Sequence, residues 1–231
     1  IKKLEFVKGS EFQLKPEYMY DVLKLSSITT THDAMKSASE AVKSAKGENV
    51  KVAGLVYPLM QALDEQYLDV DIQFAGTDQR KILVYARENL PKVGYNPRIE
   101  IMNPMIRGLV GKQMSSSIEA TKIDLLNTEE EVKRKINNAE CVEGNPDNGI
   151  MALLKYLTFI IEDKKTFVVE RSKKYGGDIH YKNYEQVEKD FISKKIHPLD
   201  LKNAVAREIN ILLKGFRESK KLKELHKEAY K

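Results

Sequence analysis

The chain has 231 residues, of which 42% are hydrophobic and 32% are charged, and this balance excludes a compositionally disordered protein. Its 39 basic and 34 acidic residues give a formal net charge of +5, a mild excess that fits contact with nucleic acid without requiring it. A single cysteine, Cys141, excludes an internal disulfide and fits a reducing compartment, so we expect a cytoplasmic location. No apolar run has the length of a membrane span, so no membrane partner is expected. The chain opens on Ile1 without a secretory signal, and we expect it to be a piece of a longer protein.

The first part of the chain, residues 1–121, is predicted to alternate helices and short strands. The patterns predict strands over residues 4–7, 70–74 and 99–102, and helices over residues 16–30, 32–46 and 79–88, with a further helix that ends near Leu68. Strands that alternate with helices indicate a parallel α/β sheet, in which ligands bind at the carboxyl ends of the strands.

The helix that ends near Leu68 carries Tyr57, Gln61 and Asp64 at i, i+4 and i+7, which places them on one stripe beside an apolar face. Such a column could bind a small ligand with a cationic amine and a hydroxyl group. The alternative is a helix whose polar side faces water. Gln79 follows the strand at 70–74 and could face this column.

The second part, residues 122–231, is predicted to be mostly helical. Asn127 is the predicted cap of a helix with Glu130 in a capping box, and Asp200 is the predicted cap of a long helix. A helix is expected over residues 150–161 and a strand over residues 167–169. The lysine-rich tail from Lys214 is predicted to be a solvated helix.

A glycine-flanked loop over residues 108–117 contains Lys112 and three serines, so it offers amides, hydroxyls and a cation to a polyphosphate. A plain surface loop would explain the same residues.

In this context Met114-Ser115-Ser116-Ser117 resembles the KMSKS signature of class I aminoacyl-tRNA synthetases, in the KMSSS form of archaeal and eukaryotic tyrosyl enzymes. The likeness extends through residues 9–14, 57–64, 78–81, 102–105, 122–126 and 197–203. It implies the C-terminal part of a Rossmann-type parallel-sheet catalytic domain over residues 1–121. A mostly helical anticodon-binding domain would follow over residues 122–231.

The resemblance also implies a tyrosine site and a nucleotide site. Asp64 would accept a hydrogen bond from the phenol of L-tyrosine, and Tyr57, Gln61 and Gln79 would hold its α-amino group. ATP would bind at Met105, Lys112, Gln113, Met114 and Ser115. The loop from Lys112 through Ser115, Ser116 and Ser117 would clamp the leaving pyrophosphate. Mg²⁺ is expected to arrive with ATP, held by phosphate and water rather than by a protein metal site.

The expected partners are tRNA(Tyr) and a second copy of the chain, with residues 16–46 and 85–90 as candidates for the dimer interface. Tyr175 matches an aromatic residue that stacks on the first anticodon base, a guanine, and Asp200 matches the acid that hydrogen-bonds it. His197 would support this corner. The alternative roles are a core tyrosine, a helix cap and an ordinary loop residue.

Two departures from the family bear on catalysis. The HIGH signature is absent, since none of the histidines stands in such a motif: His32, His180, His197 and His226. Gln113 occupies the place of the first KMSSS lysine, and a neutral amide cannot replace a cation against developing phosphate charge. Lys112 could substitute only if the loop shifts by one residue.

Two hypotheses follow. The chain is either part of a tyrosine–tRNA ligase, inactive in isolation, or a non-catalytic tRNA-binding subunit, such as a degenerate half of such an enzyme. The presence of Tyr57, Gln61, Asp64 and Gln79 favours the ligase. Gln113, together with Tyr175 and Asp200, favours the subunit.

Overall fold

The computed structural model describes residues 3–38, 50–161 and 166–229, and the chain divides into two compact units at Ile1–Met105 and Ile106–Lys231. The sequence analysis placed the domain boundary after residue 121, so the predicted phosphate loop falls in the second unit instead of the first. The reason is Leu109, which is buried in the core of the second unit. Its N–H donates to the Thr121 carbonyl at 3.0 Å, and its carbonyl accepts from the Glu140 N–H at 2.8 Å.

The first unit contains four α-helices and two strands within its described residues. These are α1 (Pro16–Ile28), α2 (Thr31–Ser37), α3 (Val52–Tyr67), β1 (Ile72–Gly76), α4 (Arg80–Asn89) and β2 (Ile99–Asn103). The two strands pair in parallel, with Ile72 opposite Ile99 and Gly76 opposite Asn103, which confirms the predicted parallel sheet. A 3-10 turn, Thr77–Gln79, connects the carboxyl end of β1 to α4.

Two predictions for this unit need comment. The strand predicted over residues 4–7 is wrong: these residues form no regular structure and pair with no strand in the described ranges, and an unpaired strand is not stable in water. The helix predicted over 32–46 is present as α2, and its part beyond Ala38 lies outside the described residues.

The core of the first unit forms where α1, α3 and α4 pack together. Its fully buried side chains include Tyr18, Leu25, Leu63, Ala86 and Leu90.

Two tyrosine–aspartate hydrogen bonds cross between α1 and α3. The Tyr18 hydroxyl of α1 donates to Asp64 Oδ1 of α3 at 2.8 Å, and the Tyr67 hydroxyl of α3 donates to Asp21 Oδ2 of α1 at 2.7 Å. Tyr95 also donates its hydroxyl proton to the buried Asp21. Tyrosine and aspartate stand three residues apart on each helix, so both pairs form on the same pair of facing stripes.

The second unit is mostly helical, as predicted. It contains α5 (Glu129–Asn138), α6 (Gly149–Leu153), a π-helix (Leu154–Ile161), α7 (Tyr184–Ile192), α8 (Pro198–Glu218) and α9 (Lys220–Ala229). A hairpin of β3 (Phe167–Val169) and β4 (Ile179–Tyr181) packs beside α8. The predicted solvated tail is confirmed, since α9 buries none of its side chains. In the described ranges, no helix combines the length and the apolar character that crossing a membrane requires.

The predicted cap of α5 is wrong by one residue. Thr128 caps the helix, since its hydroxyl accepts from the Glu131 N–H at 3.2 Å while the Glu131 carboxylate accepts from the Thr128 N–H at 2.8 Å. Asn127 closes the preceding turn instead, and its side-chain carbonyl accepts from the Asp124 N–H and from Lys135 Nζ.

Glu65 of α3 is a buried carboxyl in the first unit, only 2% exposed, and its Oε2 has no hydrogen-bond partner among the described residues. Burial raises its pKa to about 7; the charges of Glu100 and Asp64 act in the same direction, and Arg98 opposes them. A carboxyl whose pKa is higher in the folded than in the unfolded state stabilises the fold at acid pH. That contribution is lost as the pH rises from the unfolded value of 4.5 through about 7.

We therefore expect the free energy of unfolding to fall by about 3 kcal/mol between pH 4.5 and pH 8 through this group. In urea unfolding of Glu65→Gln across this pH range, the free energy of unfolding should no longer show this fall. Glu88→Gln, an exposed change on α4, serves as the control and should keep the wild-type pH dependence. An unchanged slope in Glu65→Gln would contradict the assignment.

Candidate functional site

Tyr57, Gln61 and Asp64 lie on one stripe of α3, as their spacing predicts. Leu59 and Leu63 of the same helix are buried in the core, so the polar stripe runs along the edge of the packed face. Tyr57 is 52% exposed, whereas Gln61 and Asp64 are half-buried. The stripe therefore presents a phenol, an amide and a carboxylate to a ligand without burying them fully.

Gln79 contacts this stripe, as its place after the first strand predicts. Its Oε1 accepts from Gln61 Nε2 at 3.1 Å, and its own Nε2 donates to Asp78 Oδ2 at 2.7 Å. These two bonds fix the orientation of both amides. The Gln61 Oε1 atom is buried and has no hydrogen-bond partner among the described residues. An acceptor in that position suits a donor such as an ammonium group.

Asp64 is held by two residues that the sequence analysis did not assign to the site, Gln13 and Tyr18. Gln13 Nε2 donates to both carboxylate oxygens, at 3.0 and 3.2 Å, and the Tyr18 hydroxyl donates to Oδ1. Burial, followed by the hydrogen bond to Asp64, raises the pKa of Tyr18 well above its ordinary value, so this phenol stays a donor at neutral pH.

Gln13 stands in the segment 9–14 that carries the family resemblance, and that segment was the only sequence signal for it. Tyr18 gave no signal, because its spacing on α1 is that of an ordinary core residue.

The predicted phosphate loop is exposed at its tip and anchored at its ends. A Cβ on Gly108 would lie 2.7 Å from the Gln113 carbonyl oxygen, and Gly111 has a φ of +74°, so both positions require glycine. The Ser115 N–H donates to the buried Thr121 hydroxyl at 2.9 Å. Lys112 and Gln113 are exposed, while Met114 and Ser115 are half-buried.

The serines at the end of this loop border open space. The hydroxyls of Ser115 and Ser117 lie 3.0 Å apart, and Ser117 and Ser116 line an open cavity of about 660 Å³. Its other lining residues come from the following segment and from α9: Lys122, Asp124, Leu125, Leu126, Leu222 and His226. Within the described ranges, no group of three or more His, Cys, Asp or Glu side chains could hold a metal ion.

Met105 belongs to a different unit from the other predicted nucleotide-binding residues. It is the last residue of the first unit, where its sulfur lies 3.5 Å from the position of a Cβ on Gly76, at the end of β1. Lys112, Gln113, Met114 and Ser115 belong to the second unit.

Tyr175 is 65% exposed at the end of a 3-10 turn, Lys173–Tyr175, so it is not a core tyrosine. Lys174 Nζ lies over its ring, 5.7 Å from the centroid. Gly176 and Gly177 follow with φ values of +94° and +75°, a conformation that glycine adopts without strain. These two residues turn the chain back into β4.

The prediction that Asp200 caps the long helix is wrong. His197 caps α8, and its Nδ1 accepts from the Leu199 N–H at 3.2 Å. Pro198 occupies the first helical position, where its fixed φ and missing N–H fit, so the helix begins two residues before Asp200. The half-buried Asp200 carboxylate is thus spared the capping role and lines a cavity of about 370 Å³ with Lys133, Asn203 and Arg207 among its neighbours.

Comparison with known proteins gives a consistent assignment. Residues 1–214 match the sequence profile of a family described as tRNA synthetases class I (W and Y). The whole chain is 47% identical to the cytoplasmic tyrosine–tRNA ligase of Gallus gallus, of which it spans 44%. It is 43% identical to the probable cytoplasmic tyrosine–tRNA ligase of Encephalitozoon cuniculi, of which it spans 68%.

A solved structure agrees. The tyrosyl-tRNA synthetase of Archaeoglobus fulgidus, crystallised with L-tyrosine, is 44% identical, with a TM-score of 0.77 over 91% of this chain and 65% of that one. The likeness thus covers the stripe of Tyr57, Gln61 and Asp64, the serine-rich loop and nearly all of the helical unit. The chain belongs to the tyrosyl-tRNA synthetases, within the class I tRNA synthetases for tryptophan and tyrosine.

Proposed function

We propose that this chain is the tyrosine-binding and tRNA-binding part of a tyrosine–tRNA ligase. The observation that carries the proposal is that hydrogen bonds within the protein already orient the Asp64 carboxylate. Its carboxylate is oriented by Tyr18 and Gln13, and it stands on the same stripe as the hydrogen-bonded amides of Gln61 and Gln79. Because the chain spans about half the length of its curated relatives, the activity of the whole protein is itself part of the proposal.

Tyrosine would bind with its phenol donating to Asp64 and its ammonium group donating to the unpartnered Gln61 Oε1. Tyr57 and Gln79 would supply further contacts to the amino group. Phenylalanine has no hydroxyl proton to donate, so its binding would desolvate the Asp64 carboxylate without replacing the water that it loses. The pocket would therefore reject phenylalanine because it lacks a hydrogen-bond donor for Asp64, and not because of its size.

In the proposed reaction a carboxylate oxygen of tyrosine attacks the α-phosphorus of ATP. The bond to the β-phosphate breaks, and tyrosyl-adenylate and pyrophosphate form. A terminal ribose hydroxyl of tRNA(Tyr) then attacks the tyrosyl carbonyl and releases AMP. Lys112, Ser115, Ser116 and Ser117 would bind phosphate oxygens of ATP, with Met105, Gln113 and Met114 beside the nucleotide. Mg²⁺ accompanying ATP would neutralise phosphate charge.

The second unit would bind the anticodon loop of tRNA(Tyr). The exposed ring of Tyr175 suits stacking on the first anticodon base, and the Asp200 carboxylate suits the N1–H and N2–H donors of guanine. His197 would support this corner by fixing the start of α8.

A second copy of the chain is a further proposed partner. Met19, Tyr20 and Leu23 form an exposed apolar stripe on α1, and Leu14, just before this helix, is also exposed. Burial of such a stripe would favour dimerisation. In the segment 85–90, Tyr85 and Leu90 are buried in the core, so this segment offers an interface only its charged residues. We propose a cytoplasmic location, since the relatives are named as cytoplasmic enzymes.

The tyrosine site can be tested by calorimetric titration of the chain with L-tyrosine and L-phenylalanine. We expect a clear preference for tyrosine, and Asp64→Asn should lower tyrosine affinity by about tenfold or more, because a charged acceptor is lost. Asp71→Asn, an exposed change just before β1, should leave the affinity unchanged. Equal affinity for the two amino acids would contradict the assignment of Asp64 as the residue that recognises the tyrosine hydroxyl.

The ligase and the non-catalytic subunit are separated by tyrosine-dependent ATP–pyrophosphate exchange, measured on this chain and on the full-length gene product. We expect exchange only in the full-length protein, because this chain lacks a HIGH signature. Gln113→Lys should raise the full-length rate by about tenfold, since it restores a cation against phosphate. Absence of exchange from both proteins, with binding to tRNA(Tyr) retained, would establish the non-catalytic subunit instead.

The proposed dimer is tested by light scattering after size exclusion. Leu23→Asp places a charge in the exposed stripe of α1 and is expected to shift a dimer towards the monomer. Val52→Asp is the matched control: Val52 is exposed in the same unit at the first position of α3, where a carboxylate is tolerated. Equal masses for the two variants would argue against this interface.

A further inference from the structure

Arg171 connects the two elements that carry Tyr175 and Asp200. Its Nε donates to the Gly177 carbonyl oxygen at 3.1 Å, and its Nη1 donates to the Lys195 carbonyl oxygen, also at 3.1 Å. Gly177 belongs to the turn after Tyr175, and Lys195 stands two residues before the His197 cap of α8. One planar guanidinium group thus spans both backbones.

The turn around Tyr175 is closed on Arg171 from several sides. The Arg171 N–H donates to the Asp178 carboxylate at 2.9 Å, which joins the two ends of the turn. The N–H groups of Tyr175 and Gly177 both donate to the Ser172 carbonyl oxygen. A Cβ on Gly176 would lie 3.5 Å from Arg171 Nη2, so the guanidinium lies against the glycine backbone. The turn is therefore a compact unit whose position follows that of the guanidinium.

The segment before α8 is fixed on its other side. The Lys195 N–H donates to the Asp190 carbonyl oxygen at 2.9 Å, and its ammonium group lies 2.8 Å from the Asp190 carboxylate. Ile196 is fully buried in the core of the second unit. The Lys195 carbonyl is thus fixed in place, two residues before the His197 cap of the helix that holds Asp200.

We propose that Arg171 is a positioning residue for anticodon reading. It holds the turn that carries Tyr175 in a fixed place relative to the segment before α8, the helix that carries Asp200. This inference rests on the proposed binding of the anticodon by the second unit. The hydrogen bonds of the Arg171 side chain go to protein carbonyl oxygens, so Arg171 acts through Tyr175 and Asp200 and not through its charge. The neighbouring Lys173 is exposed and available to RNA phosphates, whereas Lys174 Nζ lies over the Tyr175 ring, 5.7 Å from its centroid.

The experiment compares two hairpin RNAs with the sequence of the tRNA(Tyr) anticodon arm, one with guanine and one with adenine at the first anticodon position. Binding to the 231-residue chain is measured by fluorescence anisotropy at fixed salt, and the ratio of the two Kd values reports guanine discrimination. The variants are Arg171→Met, Arg171→Lys and the control Arg134→Met. Arg134 is an exposed arginine of α5, so its variant removes the same charge from the same unit.

We expect Arg171→Met and Arg171→Lys to lose about tenfold in the Kd ratio through weaker binding of the guanine RNA. Lysine should fail because one ammonium group cannot reproduce a planar fork to two carbonyls. Arg134→Met should weaken both RNAs equally or not at all. Thermal melting and far-UV circular dichroism identify any variant that has lost its fold, and the lysine variant then decides the outcome.

A wild-type ratio in Arg171→Lys would overturn the proposal in favour of a simple cation, and a wild-type ratio in both Arg171 variants would exclude any role in reading. If the second unit does not read the anticodon at all, the result differs. In that case the wild-type chain itself would bind the guanine and adenine RNAs equally.

Discussion

The first unit depends on the paired tyrosine–aspartate hydrogen bonds between α1 and α3. Asp21 is buried and Asp64 half-buried, and each accepts from a phenol on the opposite helix. Burial, together with these hydrogen bonds, raises the pKa values of Tyr18 and Tyr67, so both phenols remain protonated donors at neutral pH. The same contacts that join the helices therefore also orient the carboxylate proposed to recognise tyrosine, so the fold and the site share one constraint.

The second unit combines the serine-rich loop with the Tyr175 turn and α8, which are proposed to bind the anticodon. Leu109 ties the start of the loop to the core of this unit, and Thr121 ties its end through the Ser115 N–H. Between these anchors Lys112 and Gln113 remain exposed. A rigid base with an exposed tip suits a loop that binds phosphate oxygens during part of a reaction and releases them afterwards.

The ligase hypothesis and the non-catalytic subunit hypothesis explain Gln113 differently. The side chains proposed to bind tyrosine include Gln61, Gln79 and Asp64, whose hydrogen bonds orient them for a ligand with an ammonium group and a phenol. Selection for tRNA binding alone would not require this arrangement. Gln113 removes one cation from the loop, and Lys112 beside it is exposed and near enough in sequence to take over part of its role. We therefore propose the ligase rather than the non-catalytic subunit.

The sequence by itself determined the parallel α/β character of the first unit, the helical character of the second and the stripe of Tyr57, Gln61 and Asp64. These features are set by local periodicity and by short motifs, which a single chain displays directly. The tertiary structure alone decided that Tyr18 and Gln13 hold Asp64, because these contacts join residues 46 and 51 positions apart. It also moved the cap of α8 from Asp200 to His197, since the start of that helix depends on Pro198, and it joined the Tyr175 turn to α8 through Arg171. The contacts of Asp64 and Arg171 are fixed by packing between separate segments, and no local pattern encodes them. The His197 cap is different, because Pro198 at the first helical position is a local signal of a helix start.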